Sequence, residues 1–226
     1  MPEMSMKPLR CGLALLLVLA GLAGCRIEER SAAEASASAA PAGSFENKAF
    51  DPKAQVEAMW SSKALPEIKA RAGELMALRK AMAANLDAAG AAHGFRERGA
   101  GAPWNMAATL KGKIVSVDTE SSAGKIGVDV DGDGRADAEV QIGPVMRGTS
   151  IRDGLSFISF TSYTNQIDFA QLANAFNKKA FETVLKGLPR DALMGKEVQL
   201  TGLFTTEDAA QMPVITPVEM RLGAPA

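Results

Sequence analysis

Acidic side chains recur at short intervals in one glycine-rich stretch of the chain. The carboxylates belong to Asp129, Asp131, Asp133 and Asp137, in the spacing Asp-x-Asp-x-Asp-Gly-x-x-Asp. Carboxylate and carbonyl oxygens are the ligands that Ca²⁺ prefers, and short acidic turns supply them from alternate positions. The pattern predicts a weak structural Ca²⁺ site formed by these four side chains and the Arg135 carbonyl. A solvated Asp-Gly hairpin turn has a similar composition and needs no metal.

A second group of polar side chains lies within residues 147–166. It consists of Arg147, Thr149, Arg152, Tyr163, Asn165 and Gln166. Guanidinium and amide groups offer several hydrogen-bond donors in fixed planes, which suits them to sugar hydroxyls or anionic groups. We therefore expect this group to bind a small polar ligand. The alternative is that these side chains satisfy backbone groups of a loop and cap the helix that follows.

Residues suited to acid-base or covalent catalysis are scarce. His93 is the single histidine, and it lies in the glycine-rich, charged stretch 90–101 without a neighbouring nucleophile. We expect it to be solvated on a surface loop. A zinc site of the usual histidine and cysteine ligands is excluded. We therefore expect a protein that is not an enzyme; the alternative is a metal-assisted hydrolase that uses the carboxylates from Asp129 to Asp137.

Two arms of alternating hydrophobicity flank the acidic turn. They contain Ile126, Val128 and Val130 before the turn and Ala138, Val140 and Ile142 after it. A period of two is typical of half-buried strands, so the pattern predicts a β-hairpin with the acidic turn at its tip. Further strands are predicted over 107–118, 197–204 and 214–222. Gly112 lies inside the first of these, where glycine often permits a sharp bend or a bulge.

Helices are predicted before the strands and again between the hairpin and the last two strands. Asp51 and Pro52 form a helix start, because the carboxylate caps free N–H groups and proline suits the first turn. A second helix is predicted from Pro66 to about Ala89 by its apolar stripe. Asp168 and Gln171 have the spacing of a capping box at the start of a third helix.

This order of elements predicts an α+β fold. One long strand, a hairpin, a helical excursion and two final strands match an OB-like (oligonucleotide/oligosaccharide-binding) five-stranded β-barrel. The N-terminal helices would precede the barrel, and the third helix would be an insertion between its strands 3 and 4. A two-layer α+β sheet with helices on one face would use the same order. Residues 49–226 are long enough to form a single globular periplasmic domain.

A positively charged N-terminus followed by an apolar run indicates an export signal. Lys7 and Arg10 precede the run 11–23, whose length suits the hydrophobic region of a signal peptide. The run ends in Leu22-Ala23-Gly24-Cys25, which resembles the bacterial lipobox. We therefore predict a lipoprotein signal peptide over 1–24 and a lipid on Cys25. An ordinary signal peptide, in which this cysteine is incidental, is the alternative.

The residues after the lipobox are mostly alanine and serine. Such a composition buries too little apolar surface to offset the entropy of ordering, so residues 25–48 are predicted to be a flexible tether. Cleavage of the signal peptide removes Cys11, and the lipid is attached to the sulfur of Cys25. We therefore expect no disulfide in the mature domain. The net charge is -1. Without a dense basic cluster, binding to nucleic acid is not expected.

A set of short motifs after the tether is specific when its members are taken together. They are Leu65-Pro66, Pro103-Trp104-Asn105, the stretch 129–137, Ile142-Gly143-Pro144, Arg147-Gly148-Thr149, the stretch 157–160, Asn165-Gln166-Ile167 and Ile215-Thr216-Pro217. They give the chain a resemblance to a family of bacterial predicted periplasmic lipoproteins of unknown function. It covers nearly everything after the tether. Because members are often encoded near ribose-type sugar importers, the resemblance implies a role in the cell envelope alongside carbohydrate uptake.

We therefore expect a non-enzymatic envelope lipoprotein, an accessory or binding module linked to carbohydrate uptake. Its partners would be the membrane, through the lipid anchor, and either a component of a sugar ABC importer or a small polar ligand. Arg26 follows the lipidated cysteine. In enteric bacteria an aspartate there retains a lipoprotein in the inner membrane, so Arg26 favours the outer membrane.

Overall fold

Five strands form a closed ring that is the central element of the fold. They are β3 (Trp104–Asp118), β4 (Lys125–Asp129), β5 (Ala138–Gln141), β6 (Lys196–Thr206) and β7 (Val214–Pro225). Around the ring the order is β3-β4-β5-β7-β6, and β6 pairs with β3 to close it. Only the β5–β7 pairing is parallel among these five contacts. This is the strand order of an OB fold, as the sequence predicts.

The computed structural model describes residues 50–97 and 102–225. These residues belong to one compact unit, Phe45–Ala226. The predicted signal peptide, the lipid site at Cys25 and the predicted tether over 25–48 lie outside the described residues. Within the described ranges, no helix combines the length and the apolar character needed to cross a membrane.

Strand β3 is long because it pairs with β6 from Trp104 to Lys113 and with β4 from Lys113 to Asp118. Gly112 sits where β3 passes closest to β4. A Cβ atom at this position would lie 2.2 Å from the Asp129 carbonyl oxygen, so only glycine allows this approach. The register then shifts between Ile114 and Ser116. The glycine predicted inside this strand thus permits close packing, and the bulge lies just beyond it.

The inside of the ring is filled by the apolar residues of the alternating pattern. Ile114, Ile126, Val140 and Ile215 are each 0% exposed. They belong to one core cluster with residues of the N-terminal helices, including Leu75. The hairpin forms as predicted, with β4 antiparallel to β5. Burial of these aliphatic side chains is the main stabilising contribution of the ring.

Short helices and strands precede the ring. They are α1 (Pro52–Met59), a π-helical turn (Trp60–Ala64), α2 (Leu65–Arg71), β1 (Gly73–Glu74), α3 (Leu75–Ala84), α4 (Leu86–His93) and β2 (Gly94–Phe95). The predicted start of α1 is confirmed, since the Asp51 carboxylate accepts a hydrogen bond from the Ala54 N–H at 2.9 Å. The single helix predicted from Pro66 to Ala89 is wrong. Glu74 and Asn85 each cap a new helix and divide it.

The prediction that His93 is solvated on a surface loop is also wrong. His93 is the last residue of α4 and is half-buried. Its Nδ1 atom lies 2.8 Å from the Arg71 carbonyl oxygen, and its ring packs against Gly73. The contact joins the end of α4 to the end of α2. His93 therefore has a structural role.

A helical insertion connects β5 to β6, as predicted. It contains α5 (Ser150–Asp153), a 3₁₀ turn (Phe160–Ser162), α6 (Gln166–Ala180) and a π-helical extension (Phe181–Leu185). Helix α6 packs on α1 and contributes Phe176 to a second core cluster that contains Trp60. The predicted capping box is wrong, because Asn165 is the N-cap and accepts the Asp168 N–H at 2.9 Å.

Candidate functional site

A cavity of about 410 Å³ opens on the ring beside β4 and β5. The polar residues that line it are Asp118, Ser121, Lys125, Gln141, Arg147, Ser150, Thr205 and Thr216. They come from the β3–β4 connection, from β4 and β5, from the insertion, and from the neighbouring ends of β6 and β7. In OB folds, ligands bind on the second and third strands, between the loops that follow the first and fourth strands. The cavity lies beside the second and third strands, at Lys125 and Gln141, and beside the loop after the first strand, at Ser121.

Gln141 organises the polar wall of the cavity. Its side chain is buried, at 5% exposure. Its Nε2 atom donates to the Arg147 carbonyl at 3.0 Å and to the Thr216 hydroxyl at 2.8 Å. Its Oε1 atom accepts the Arg147 N–H at 2.7 Å. One buried amide therefore fixes the backbone of the insertion onto β5 and β7.

Sequence reasoning missed Gln141. The residue lies at the end of β5, at a position that alternates with the core residue Val140 and would ordinarily face solvent. It is buried because residues 147–150 fold over it and Thr216 of β7 bonds to it, and the contact with Thr216 spans 75 positions. The one signal in the sequence is that Gln141 is a polar residue close to the predicted ligand segment 147–166.

Two cations reach the cavity. The Lys125 ammonium pairs with the Glu139 carboxylate at 2.7 Å. Arg147 is exposed, and its hydrogen bonds with Gln141 use its backbone, so its guanidinium is available to a ligand. Gly148 follows with φ 86°, a left-handed conformation that favours glycine and turns the chain back towards β7. The cavity therefore combines an available guanidinium with fixed hydroxyl and amide groups.

The six predicted ligand residues do not all lie at this cavity. Arg147 is among the residues that line it, whereas Arg152 is nine-tenths buried elsewhere in the insertion. The Arg152 guanidinium donates to the Asp153 carboxylate at 2.7 Å and to the Phe169 carbonyl at 2.8 Å. It also lies 3.6 Å from the centroid of the Phe169 ring. Thr149 donates its hydroxyl hydrogen to Asp153.

The remaining three residues belong to the start of α6. Tyr163 packs edge-on against Phe50, with 5.9 Å between ring centroids. Desolvation raises the pKa of Tyr163, and the positive charge of Arg152 opposes that rise. Asn165 is the N-cap described above, and Gln166 is the exposed first residue of the helix. The predicted group thus divides into Arg147 at the cavity and side chains that hold the insertion together.

The acidic turn brings three of its four carboxylates together. Single oxygens of Asp129, Asp131 and Asp137 lie within 4.8 Å of one another. The Asp129 carboxylate is buried and accepts N–H groups of the turn at 2.7 and 2.9 Å. Asp137 accepts the Val130 N–H at 2.8 Å and pairs with Arg79 at 3.3 Å. Backbone donors and one cation thus already balance part of the negative charge.

Asp133 and Arg135 pair with each other at the tip of the turn. The Nε and Nη2 groups of Arg135 both donate to Asp133 Oδ2, at 2.9 and 2.7 Å. The hydrogen bonds from Arg135 lower the pKa of Asp133, and the same contact raises the pKa of Arg135. Asp133 was predicted as a metal ligand, but it is not part of the group of three carboxylates.

A protein-family model matches most of the chain. The model of the family described as "Predicted periplasmic lipoprotein (DUF2291)" matches residues 15–221. The chain belongs to the DUF2291 family. The resemblance seen in the sequence is therefore confirmed, and the periplasmic lipoprotein description applies to the family that contains this chain. No curated protein matches the chain.

A solved structure supports the fold of this DUF2291 protein. The chain is similar to an OB-fold protein from Thermotoga maritima, whose crystal structure was determined at 1.90 Å resolution. The sequences are 19% identical, the TM-score is 0.62, and the match covers 78% of this chain and 100% of the other. At this identity the likeness shows a shared OB fold and nothing about a ligand.

Proposed function

We propose that this DUF2291 protein acts by binding, and that the cavity beside Gln141 takes a small polar ligand. The observation that supports this is the Arg147 backbone, which two hydrogen bonds join to the buried Gln141 amide while its guanidinium stays available. A polar group whose backbone is fixed before binding loses less freedom when the ligand arrives. A third hydrogen bond joins the same amide to Thr216 of β7.

The lining favours a ligand that carries an anionic group and hydroxyls. Arg147 and Lys125 can pair with a carboxylate or phosphate, and Ser150 and Thr216 offer hydroxyls that already contact each other at 3.2 Å. The described residues that line the cavity include no aromatic side chain, so neither a base nor a sugar ring could stack there. A sugar acid or a sugar phosphate has this chemistry, and such a ligand is consistent with a role beside carbohydrate uptake. The protein partner in that role would be a component of a sugar importer.

Location follows from the family description together with the leader. We propose that Cys25 is acylated and anchors the domain on the periplasmic side, with Arg26 favouring the outer membrane. Replacing Cys25 with Ser should abolish labelling by a radioactive fatty acid and leave unprocessed precursor. Normal processing of the Cys25→Ser chain would refute the anchor.

We also propose that the acidic turn holds a structural Ca²⁺ ion. The support is the convergence of Asp129, Asp131 and Asp137 oxygens within 4.8 Å. A metal-assisted hydrolase built on the same carboxylates has less support, because Asp129 and Asp137 are engaged by the turn itself and His93 is tied to Arg71.

Calorimetric titration of the chain, purified in detergent, tests the ligand proposal. The titrants are a panel of sugar acids, sugar phosphates and the parent neutral sugars. We expect an acidic member to bind and Arg147→Ala to weaken it by about 1 to 3 kcal/mol, since a charge-assisted bond is lost. The control is Arg221→Ala, another exposed arginine that lies outside the cavity. Equal affinities of the two variants would refute the site.

A further inference from the structure

The part of the insertion between α5 and α6 lacks charge. From Gly154 to Ile167 the sequence contains no acidic or basic residue, although charged residues make up 23% of the chain. Three apolar side chains of this stretch are exposed: Phe157 at 40%, Phe160 at 44% and Ile167 at 42%. We call these three residues the aromatic face. Charges reach this stretch only from other segments: Glu67 accepts the Ser156 N–H at 2.9 Å and Glu97 accepts the Ser159 hydroxyl at 2.7 Å. Exposed aromatic side chains in a stretch without charge of its own indicate a contact with another phase or molecule.

The aromatic face lies next to the point where the described chain begins. Phe50 contacts Tyr163 with 5.9 Å between ring centroids, Tyr163 contacts Phe169 at 5.3 Å, and Phe169 contacts Phe160 at 5.3 Å. Phe160 is therefore only two rings away from Phe50. Phe50, the first residue that the structure describes, therefore lies on the same side of the domain as this face.

We propose that the aromatic face rests on the lipid bilayer. This inference depends on the lipid anchor proposed at Cys25, because the anchor brings the domain to the membrane. A flexible tether covering residues 25–48 would span only about 25 to 30 Å. The side of the domain that carries Phe50 is therefore the side held nearest to the lipid, and that side presents the aromatic face.

The composition of the stretch suits the interface between lipid headgroups and acyl chains. Tyrosine is enriched there, phenylalanine is common on the lipid-facing side of interfacial segments, and serine, threonine and asparagine can hydrogen-bond to headgroups. The Lys63 ammonium lies 5.8 Å from the centre of the Phe157 ring, where it can meet lipid phosphates. Arg152 and Asp153, at one border of the stretch, neutralise each other. No charge of the stretch itself would have to be desolvated on docking.

Fluorescence quenching in vesicles tests the proposal with the lipidated protein. The protein is reconstituted into phosphatidylethanolamine/phosphatidylglycerol vesicles whose acyl chains carry bromine near the carbonyl end. Phe160→Trp and Ile167→Trp place an indole on the face, and Met194→Trp is the matched control at an exposed methionine next to the core residue Leu193. The emission of the parent protein, from Trp60 and Trp104, is subtracted. Flotation of the same vesicles reports the anchor separately.

We expect all variants to float with the vesicles. The Phe160→Trp and Ile167→Trp variants should lose most of their added emission to bromine, whereas Met194→Trp should lose none. Flotation without quenching at either face position would overturn the proposal, as would equal quenching at Met194. If two copies of the chain covered this face in a dimer, the protein would float but the indoles on the face would not be quenched. Failure to float would overturn the anchor at Cys25 and, with it, the docking of this face.

Discussion

The acidic turn between β4 and β5 and the insertion between Arg147 and Gln166 are both polar, but contacts of different range hold them in place. In the turn, Asp129 and Asp137 accept N–H groups from residues three to seven positions away. The turn has one longer contact, from Arg79 to Asp137 over 58 positions, and Gln141 holds Arg147 from six positions away. The buried groups of the insertion, however, are fixed mainly from farther along the chain. Gln141 contacts Thr216, and Arg152 contacts Phe169.

This difference in range predicts a difference in cooperativity. A turn that is held by its own backbone can form before the rest of the fold and keeps much of its shape if one contact is lost. The insertion is ordered only once β5, β7 and α6 are in place. Damage to a buried contact in the insertion should therefore cost more stability than damage to an equally polar contact in the turn.

The largest effect should come from Arg152→Ala. The substitution removes a buried guanidinium that holds the Asp153 carboxylate, the Phe169 carbonyl and the face of the Phe169 ring. We expect a loss of about 2 to 4 kcal/mol in the free energy of unfolding, measured by urea denaturation. Arg147→Ala, five positions earlier and exposed, is the control and should change stability by less than about 0.5 kcal/mol. Similar losses of unfolding free energy for both variants would contradict the division of this segment into an exposed ligand residue and a buried structural residue.

A smaller effect is expected from Asp129→Ala in the turn. The N–H groups of Gly132 and Gly134 lose their acceptor, but both glycines are exposed and water can replace it. We expect a loss of about 1 to 2 kcal/mol in the presence of chelator. Asp131→Ala, which removes an exposed carboxylate, should have almost no effect under the same conditions. A loss for Asp129→Ala above that of Arg152→Ala would reverse the comparison between the two regions.

The same division explains what could be predicted from the sequence. The hairpin was predictable because the period of two, the Asp-Gly turn and the burial of Ile126 and Val140 all agree. The strand order of the ring followed from the sequence of elements, since the OB fold accommodates a helix between strands 3 and 4. The start of α1 at Asp51 was predictable because a cap acts over three residues.

Most of what failed depended on distant partners; the capping box is the exception, because Asn165 caps α6 from three positions away. The stripe from Pro66 to Ala89 suits one helix, but Gly73 and Glu74 leave it to pair with β3 at Ala108 and Thr109. Gln141 and Arg152 are polar residues whose burial comes from segments far away in the chain. His93 looked like a loop residue because its contact with the Arg71 carbonyl spans 22 positions. In each case the sequence pattern was clear, and tertiary packing overrode it.

The smallest expected effect is that of Ca²⁺ on the turn, and it tests whether the local contacts leave room for an ion. The oxygens of Asp129 already accept N–H groups, and Asp137 faces Arg79, so an ion must share these ligands. The twelfth position of the loop, which supplies a bidentate glutamate in helix-loop-helix sites, is Val140. A dissociation constant of about 1 mM is therefore expected, and 1 mM Ca²⁺ would add only about 0.4 kcal/mol to the free energy of unfolding.

Two matched variants distinguish an ion bound by the three converging carboxylates from one bound by all four. Asp131→Asn should remove the small rise in melting temperature that Ca²⁺ produces, because Asp131 belongs to the group of three. Asp133→Asn should keep the rise, because the Asp133 carboxylate is engaged by Arg135 instead. Calorimetry with Ca²⁺ and with chelator measures both. A wild-type chain that does not respond to Ca²⁺ would show that the backbone N–H groups alone stabilise the turn, and loss of the response in Asp133→Asn would place that carboxylate on the ion.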